Sequence, residues 1–252
     1  MSKQFSGKSA LVTGSSRGIG AAAALALAQA GANEVVLHYN AYQEGAENTA
    51  ENVRAAGANV TLIQSDLSQA DGTRRLLDQV ENRKIDILIN NAGHLVKRAK
   101  LTESSQDLYD AVMNLNVKSM WFITQAIVPS MIEKKSGVIV NVGSIAARNG
   151  GGPGATMYAA AKAAVATFTK GWAKELAPHG IRVNAVSPGT VDNYFHEKHS
   201  NRQILDSVIA ATPAGRLATN EDISDVILFL CSDASRYVHG QTIEINGGMY
   251  MI

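Results

Sequence analysis

Val12-Thr13-Gly14-Ser15-Ser16-Arg17-Gly18-Ile19-Gly20 follows a short apolar run at 9–12 and leads into 19–30, a helix-length stretch rich in alanine. A strand, a glycine turn and a helix in that order form a phosphate-binding arrangement. Glycine lets the backbone approach a pyrophosphate, and the helix N-terminus adds unpaired N–H groups and a favourable dipole. Gly14, Ser15, Ser16, Arg17, Gly18, Ile19 and Gly20 are therefore candidate dinucleotide contacts. The spacing is Gly14-x-x-x-Gly18-x-Gly20 rather than the common G-x-G-x-x-G, and a merely tight strand-to-helix turn is the competing reading. The small residues at 21–24 suit a helix packed close to a sheet.

Outward from this turn, apolar runs alternate with amphipathic stretches. Strands are predicted at 9–12, 34–38, 60–64, 85–89, 138–142, 182–186 and 242–245. Helices are predicted at 19–30, 44–56, 71–82, 105–113, 117–134, 157–176 and 222–230. Such alternation implies parallel strands joined by right-handed crossovers, an α/β doubly wound sheet with helices on both faces. Gly31, Gly57 and Gly180 fall where three helices stop, as C-terminal caps. No repeat or linker divides the chain, so residues 1–252 read as one Rossmann-type domain. The glycine-rich run at 149–154 reads as a strand-to-helix loop.

The end of the second strand chooses between NAD and NADP. An acid there accepts hydrogen bonds from the ribose 2′-hydroxyl and repels a 2′-phosphate. Here the chain reads His38-Tyr39-Asn40-Ala41, with no acid before Glu44. Arg17 offers a cation inside the glycine turn. NADP(H) is the preferred cofactor, with Tyr39 and Asn40 beside its ribose. The other reading makes Arg17 a solvated loop charge and admits NAD(H). Asp66, ahead of Leu67, is a candidate adenine contact or else a helix N-cap. In Asn90-Asn91-Ala92-Gly93, Asn90 is placed to tie strands together, and Asn91, Ala92 and Gly93 to border the cofactor's ribose.

Carbonyl reduction needs a proton donor beside the oxygen. Tyr158 and Lys162 are four residues apart, hence on one helix face. A nearby ammonium favours the phenolate and lowers a tyrosine pKa from about 10. Ser144, near the end of the fifth strand, is placed to hold the carbonyl oxygen. Asn116, at the junction of two helical segments, is a candidate for holding a water that relays protons to Lys162. No metal ligand set is expected.

These motifs, with Pro188-Gly189, occur in an order that resembles the short-chain dehydrogenase/reductase family over essentially the whole chain. The resemblance implies a seven-stranded sheet in the order 3-2-1-4-5-6-7, a catalytic tetrad of Asn116, Ser144, Tyr158 and Lys162, and a homotetramer. It also implies that Lys162 binds the nicotinamide ribose, and that Pro188, Gly189, Thr190 and Val191 form the stretch contacting the carboxamide. Two departures stand out. Ser144 and Tyr158 are one residue further apart than is usual, which places a bulge in the 150–152 loop. Asn193 stands where many members carry threonine.

The expected activity is hydride transfer between nicotinamide and a ketone or secondary alcohol, as in a carbonyl reductase. Within the family, 3-oxoacyl-[acyl-carrier-protein] reductases and sugar or polyol dehydrogenases are the nearest in general character. Lys134-Lys135 suit a carrier-protein partner, but the basic position late in the Tyr158 helix is missing. From a different class, a non-catalytic NADP(H)-binding sensor would have no reason to keep all four tetrad groups. Residues 190–212 read as a helical substrate lid, with Tyr194, Phe195 and His196 as candidate pocket residues beside His94.

Composition narrows the partners. The chain is 46% apolar and 18% charged, with a net charge of +1. That gives no electrostatic support for nucleic-acid binding. No run is long enough to span a bilayer. The N-terminus leads straight into a strand pattern, so no export signal and a cytoplasmic location are expected. Cys231, the single cysteine, lies among apolar neighbours and reads as a buried helix residue. The apolar C-terminal end is expected to pack on another subunit.

Overall fold

The computed structural model describes residues 4–81, 83–195 and 202–252. Seven parallel strands form one sheet in the order β3-β2-β1-β4-β5-β6-β7. They are β1 (Ser9–Val12), β2 (Glu34–Tyr39), β3 (Asn59–Gln64), β4 (Ile87–Asn90), β5 (Gly137–Val142), β6 (Ile181–Pro188) and β7 (Thr242–Ile245). The helices between them are α1 (Gly18–Gln29), α2 (Gln43–Ala55), α3 (Gly72–Val80), α4 (Gln106–Met113), α5 (Ser119–Lys134), α6 (Ala146–Asn149), α7 (Thr156–Leu176), α8 (Arg202–Ala211) and α9 (Asn220–Cys231).

Alternate strand residues feed two cores, because side chains on a strand point to opposite faces. Val12, Val35, Leu37, Ile89 and Val140 pack with Ala24 and Leu27 of α1, Val53 of α2 and Ile227 of α9. Their neighbours Leu11, Val36, Leu88 and Ile139 pack on the other face with Leu76 of α3, Ile123 of α5 and Val165 of α7. Burial on both faces explains why these strands read as continuous apolar runs.

Gly31, Gly57 and Gly180 all adopt positive φ, at 96°, 100° and 72°, as their role as helix stops requires. The order of strands reverses between β1 and β4. That reversal opens a crevice at the carboxyl ends of the strands, where sheets of this kind bind ligands.

Candidate active site

The glycine turn is held from three sides. Asn91 Nδ2 donates to the carbonyls of Thr13 and Gly14, at 2.9 and 3.0 Å. Thr13 Oγ1 accepts from the backbone N–H groups of Asn91 and Ala92, both at 3.0 Å. His38 supplies the third contact. Its Nδ1 accepts from Gly14 N at 3.2 Å, and its Nε2 lies 3.0 Å from the Ser65 carbonyl. The first contact requires a bare Nδ1, so Nε2 carries the proton and donates to Ser65. Burial pushes the His38 pKa down to about 4, so the ring is neutral. The roles of Thr13 and His38 were not read from the sequence.

The turn is packed too closely to carry side chains at its glycines. A Cβ on Gly14, at φ 66°, would sit 3.0 Å from Ala92 Cα, and one on Gly20 would sit 2.5 Å from Asn91 Nδ2. A Cβ on Gly93 would meet both Asn116 Oδ1 and Lys162 Nζ at 2.7 Å. The backbone at these points is bare because side chains from elsewhere fill the room around it. The N-terminus of α1 opens onto the same crevice. The donor set and the cradle fit a pyrophosphate dinucleotide.

At the other end of the crevice, Tyr158 and Lys162 lie on the first turns of α7. Ser144, two residues beyond β5, lines the same end of the cleft as Tyr158, and its Oγ accepts from Ala146 N at 3.1 Å. Lys162 Nζ donates to the Val142 carbonyl at 2.8 Å and lies 5.7 Å from the centre of the Tyr158 ring. Burial pushes the phenol up to about 12, opposed by the hydrogen bond to Ser144. Burial also pulls Lys162 down to about 8. This differs from the expectation that the ammonium lowers the tyrosine pKa. Loss of solvent dominates, and the phenol holds its proton more tightly than a free tyrosine does.

Asn116 sits in a single π-type turn, Asn114–Lys118, between α4 and α5. Its Nδ2 donates to the carbonyls of Val112 and His94, both at 2.9 Å. Its Oδ1 accepts from His94 N at 3.2 Å. Both amide protons are thus committed to backbone. What remains for a water is the second lone pair of Oδ1. The side chain clamps the segment after β4 against the π-turn.

A cleft of about 900 Å³ joins the two ends. Gly14, Ser16, Arg17, Gly18 and Ile19 line it from the glycine turn; Asn40, Asp66 and Leu67 from the ends of β2 and β3; and Asn91, Ala92 and Gly93 from the end of β4. Ser144, Tyr158, Lys162, Pro188, Gly189, Thr190 and Val191 line it at the chemical end, with His94, Tyr194 and Phe195 beside them. Asn116 lies just beneath, only 2% exposed.

Some expected contacts take other places. Ser15 is buried, with its N–H and hydroxyl both on the His38 carbonyl, at 2.9 and 3.1 Å. Gly20 lies under the turn rather than on the cleft wall, because it packs against Asn91. Tyr39 is buried away from the cleft, and Tyr42 lines it instead. Side chains alternate along β2, and His38 rather than Tyr39 is on the cleft side. Asp66 does not cap α3, which begins at Gly72. Its carboxylate accepts from Ser68 N and Oγ, at 3.0 and 2.7 Å, closing a local turn. His196 lies outside the described residues. Asn90 does bridge strands, with Nδ2 on Asn141 Oδ1 at 2.9 Å and on Thr124 Oγ1 at 3.0 Å. Asn193 accepts from Phe195 N and donates to Asn220 Oδ1, both at 3.1 Å. Lys134 pairs with Asp86 at 2.8 Å, at the amino end of β4 and away from the cleft.

Comparison with known proteins agrees with this geometry. The family model described as enoyl-(acyl carrier protein) reductase matches residues 14–250. The 3-oxoacyl-[acyl-carrier-protein] reductase of Staphylococcus aureus is 37% identical over 246 residues, covering 97% of this chain and 98% of that one. A crystal structure of a DEH reductase mutant superposes with a TM-score of 0.89 at 34% identity, over 100% of both chains. That of a gluconate 5-dehydrogenase from Burkholderia cenocepacia, in complex with NADP and tartrate, gives 0.88 at 33% identity, covering 98% of this chain and 96% of that one. The chain belongs to the short-chain dehydrogenase/reductase family. It is an oxidoreductase of the kind that interconverts an alcohol and a carbonyl.

Proposed function

We propose that the protein is an NADP(H)-dependent carbonyl reductase, converting a ketone to a secondary alcohol. The observation that carries this is the convergence of Tyr158, Ser144 and Lys162 at one end of the cleft, with Lys162 Nζ 5.7 Å from the centre of the Tyr158 ring. NADP(H) supplies the hydride when bound. The glycine turn, Asn91 and Gly93 hold it, and Arg17 meets its 2′-phosphate. Tyr158 donates its proton to the carbonyl oxygen, Ser144 orients that oxygen, and Lys162 stabilises the phenolate left behind. Asn116 keeps the segment at 93–94 in register with Lys162.

The NADP-bound gluconate dehydrogenase at 33% identity supports the cofactor reading. So does the lack of an acid at the end of β2. The described residues of the stretches 190–195 and 202–212 serve as the substrate cap. Within them Tyr194, Phe195, Ile204, Leu205 and Val208 line the cleft. The expected homotetramer has support in surface left apolar: Met251 and Ile252 are 80% and 81% exposed. A monomer in sedimentation at micromolar concentration would remove that part.

A second reading, reduction of a 3-oxoacyl group on a carrier protein, rests on the identity to the Staphylococcus aureus enzyme. The engagement of Lys134 with Asp86 weakens it. The test is NADPH oxidation, with NADH in parallel, against β-ketoacyl thioesters, β-keto esters, α-diketones, cyclic ketones and keto-sugars. Turnover of one class with NADPH is expected. Preference for NADH sinks the cofactor reading, and tight NADPH binding without turnover of any carbonyl sinks the enzymatic one.

A further inference from the structure

The Arg17 guanidinium lies between two aromatic rings. Its Cζ is 3.8 Å from the centre of the Tyr42 ring and 4.0 Å from that of Tyr194. Both distances are well inside the range of a cation–π contact. The rings come from different parts of the chain, Tyr42 from the start of α2 and Tyr194 from the segment after β6. The Tyr42 side is built in. Gly45, one turn into α2, has no side chain where a Cβ would overlap the Tyr42 ring. The Tyr194 side is anchored through Asn193, whose amide reaches Asn220 and whose Oδ1 caps Phe195 N.

With two rings at cation–π distance, the guanidinium still has its N–H edge to donate. That edge is a fork of N–H groups whose geometry matches phosphate oxygens. The next residue, Phe195, reaches the other end of the cleft. Its ring lies 5.8 Å from the Tyr158 ring and 5.6 Å from that of His94. Two consecutive side chains therefore touch the cation of the glycine turn and the proton donor.

We propose that Tyr194 is a specificity-determining residue for the cofactor's 2′-phosphate, acting by clamping Arg17 against Tyr42, and that Tyr194-Phe195 couples this clamp to the substrate end of the cleft. The proposal rests on the reading of Arg17 as the 2′-phosphate cation. It makes Tyr194 a positioning residue that discriminates between two cofactors through a side chain of the substrate segment.

The experiment measures kcat/KM for NADPH and for NADH in Tyr194→Leu, Tyr194→Phe, Arg17→Gln and the double variant Arg17→Gln/Tyr194→Leu. Tyr194→Leu is expected to lower the NADPH value about fivefold, as loss of one cation–π face implies, and the NADH value less than twofold. Tyr194→Phe keeps the ring and is expected to retain the wild-type ratio. In the double variant the ratio is expected to equal that of Arg17→Gln alone. An equal fall with both cofactors in Tyr194→Leu would mean a general packing role and overturn the proposal. So would an unchanged ratio, or an effect that adds in full to that of Arg17→Gln. A wild-type ratio in Arg17→Gln overturns the reading of Arg17 itself, and the clamp with it. A collapsed ratio there beside an unchanged one in Tyr194→Leu removes only the clamp.

Discussion

His38 accepts a hydrogen bond from the backbone N–H of Gly14, at 3.2 Å, across the ends of two neighbouring strands. The contact orients the first amide of the glycine turn, and it needs a neutral imidazole. With its pKa pushed down to about 4 from 6.5 by burial, His38 binds its proton more weakly in the folded chain than in the unfolded one. The unfolded state then holds more protons between those values. Stability is therefore expected to be constant with respect to this group above pH 6.5 and to fall as pH drops towards 4, by roughly 3 kcal/mol in all. Urea denaturation of wild type and His38→Phe across that window checks it. The variant should lose the pH dependence. It should also be less stable at neutral pH by about 1–3 kcal/mol, because Gly14 N and Ser65 O lose a buried partner.

Replacing Tyr158 by Phe removes the proton donor and keeps the ring against Phe195. The expected result is a fall in kcat of about 100- to 10,000-fold, the span that general acid catalysis covers. NADPH affinity, read by fluorescence titration, should change little. Unchanged turnover would show that another group protonates the substrate.

Lys162 sets the alkaline limit. It is charged below a pKa of about 8, lowered by burial, and neutral above it. Loss of that charge removes the stabilisation of the phenolate formed when Tyr158 gives up its proton. Reduction is therefore expected to slow as pH rises through about 8. The profile of kcat/KM between pH 6 and 10 tests this, since it reports groups of the free enzyme. A flat profile across that range would exclude Lys162 as the limiting group.

Gly93→Ala puts a methyl group 2.7 Å from both Asn116 Oδ1 and Lys162 Nζ. Neither neighbour can move freely, since Asn116 holds three backbone bonds and Lys162 is tied to Val142. The expected outcome is a stability loss of about 1–3 kcal/mol, with kcat reduced roughly 100-fold by displacement of Lys162. Thermal unfolding and steady-state kinetics on the same sample separate the two effects. Wild-type kcat would mean the site tolerates a shifted ammonium.

Much of this architecture is legible without coordinates. The strand predictions at 9–12 and 242–245 coincide with β1 and β7, and the other five lie within two residues of those observed. Strands buried on both faces read as mostly apolar runs, and three of the helical stretches between them stop at a glycine with positive φ. Gly31, Gly57 and Gly180 mark those ends in one dimension. The spacing of Tyr158 and Lys162 puts them on one helix face, and the tetrad as a set rests on the family resemblance.

What sequence could not assign depends on contacts between distant positions. His38 and Tyr39 point to opposite sides of β2, and which of the two meets the cleft depends on how the strand sits in the sheet. Tyr39 was expected at the cofactor, while His38 and Tyr42 face the cleft. The Asn116 amide could be placed at a helix junction, but that it binds the backbone of His94 depends on how α4 and α5 pack against β4. The sequence by itself determined the doubly wound sheet and the glycine turn between its first strand and helix, because these follow from local periodicity and short spacings. Only the tertiary structure decided that His38 braces the turn, that burial raises the Tyr158 pKa, and that Arg17 lies between Tyr42 and Tyr194. Each of these depends on solvent exclusion or on a contact that chain order does not encode.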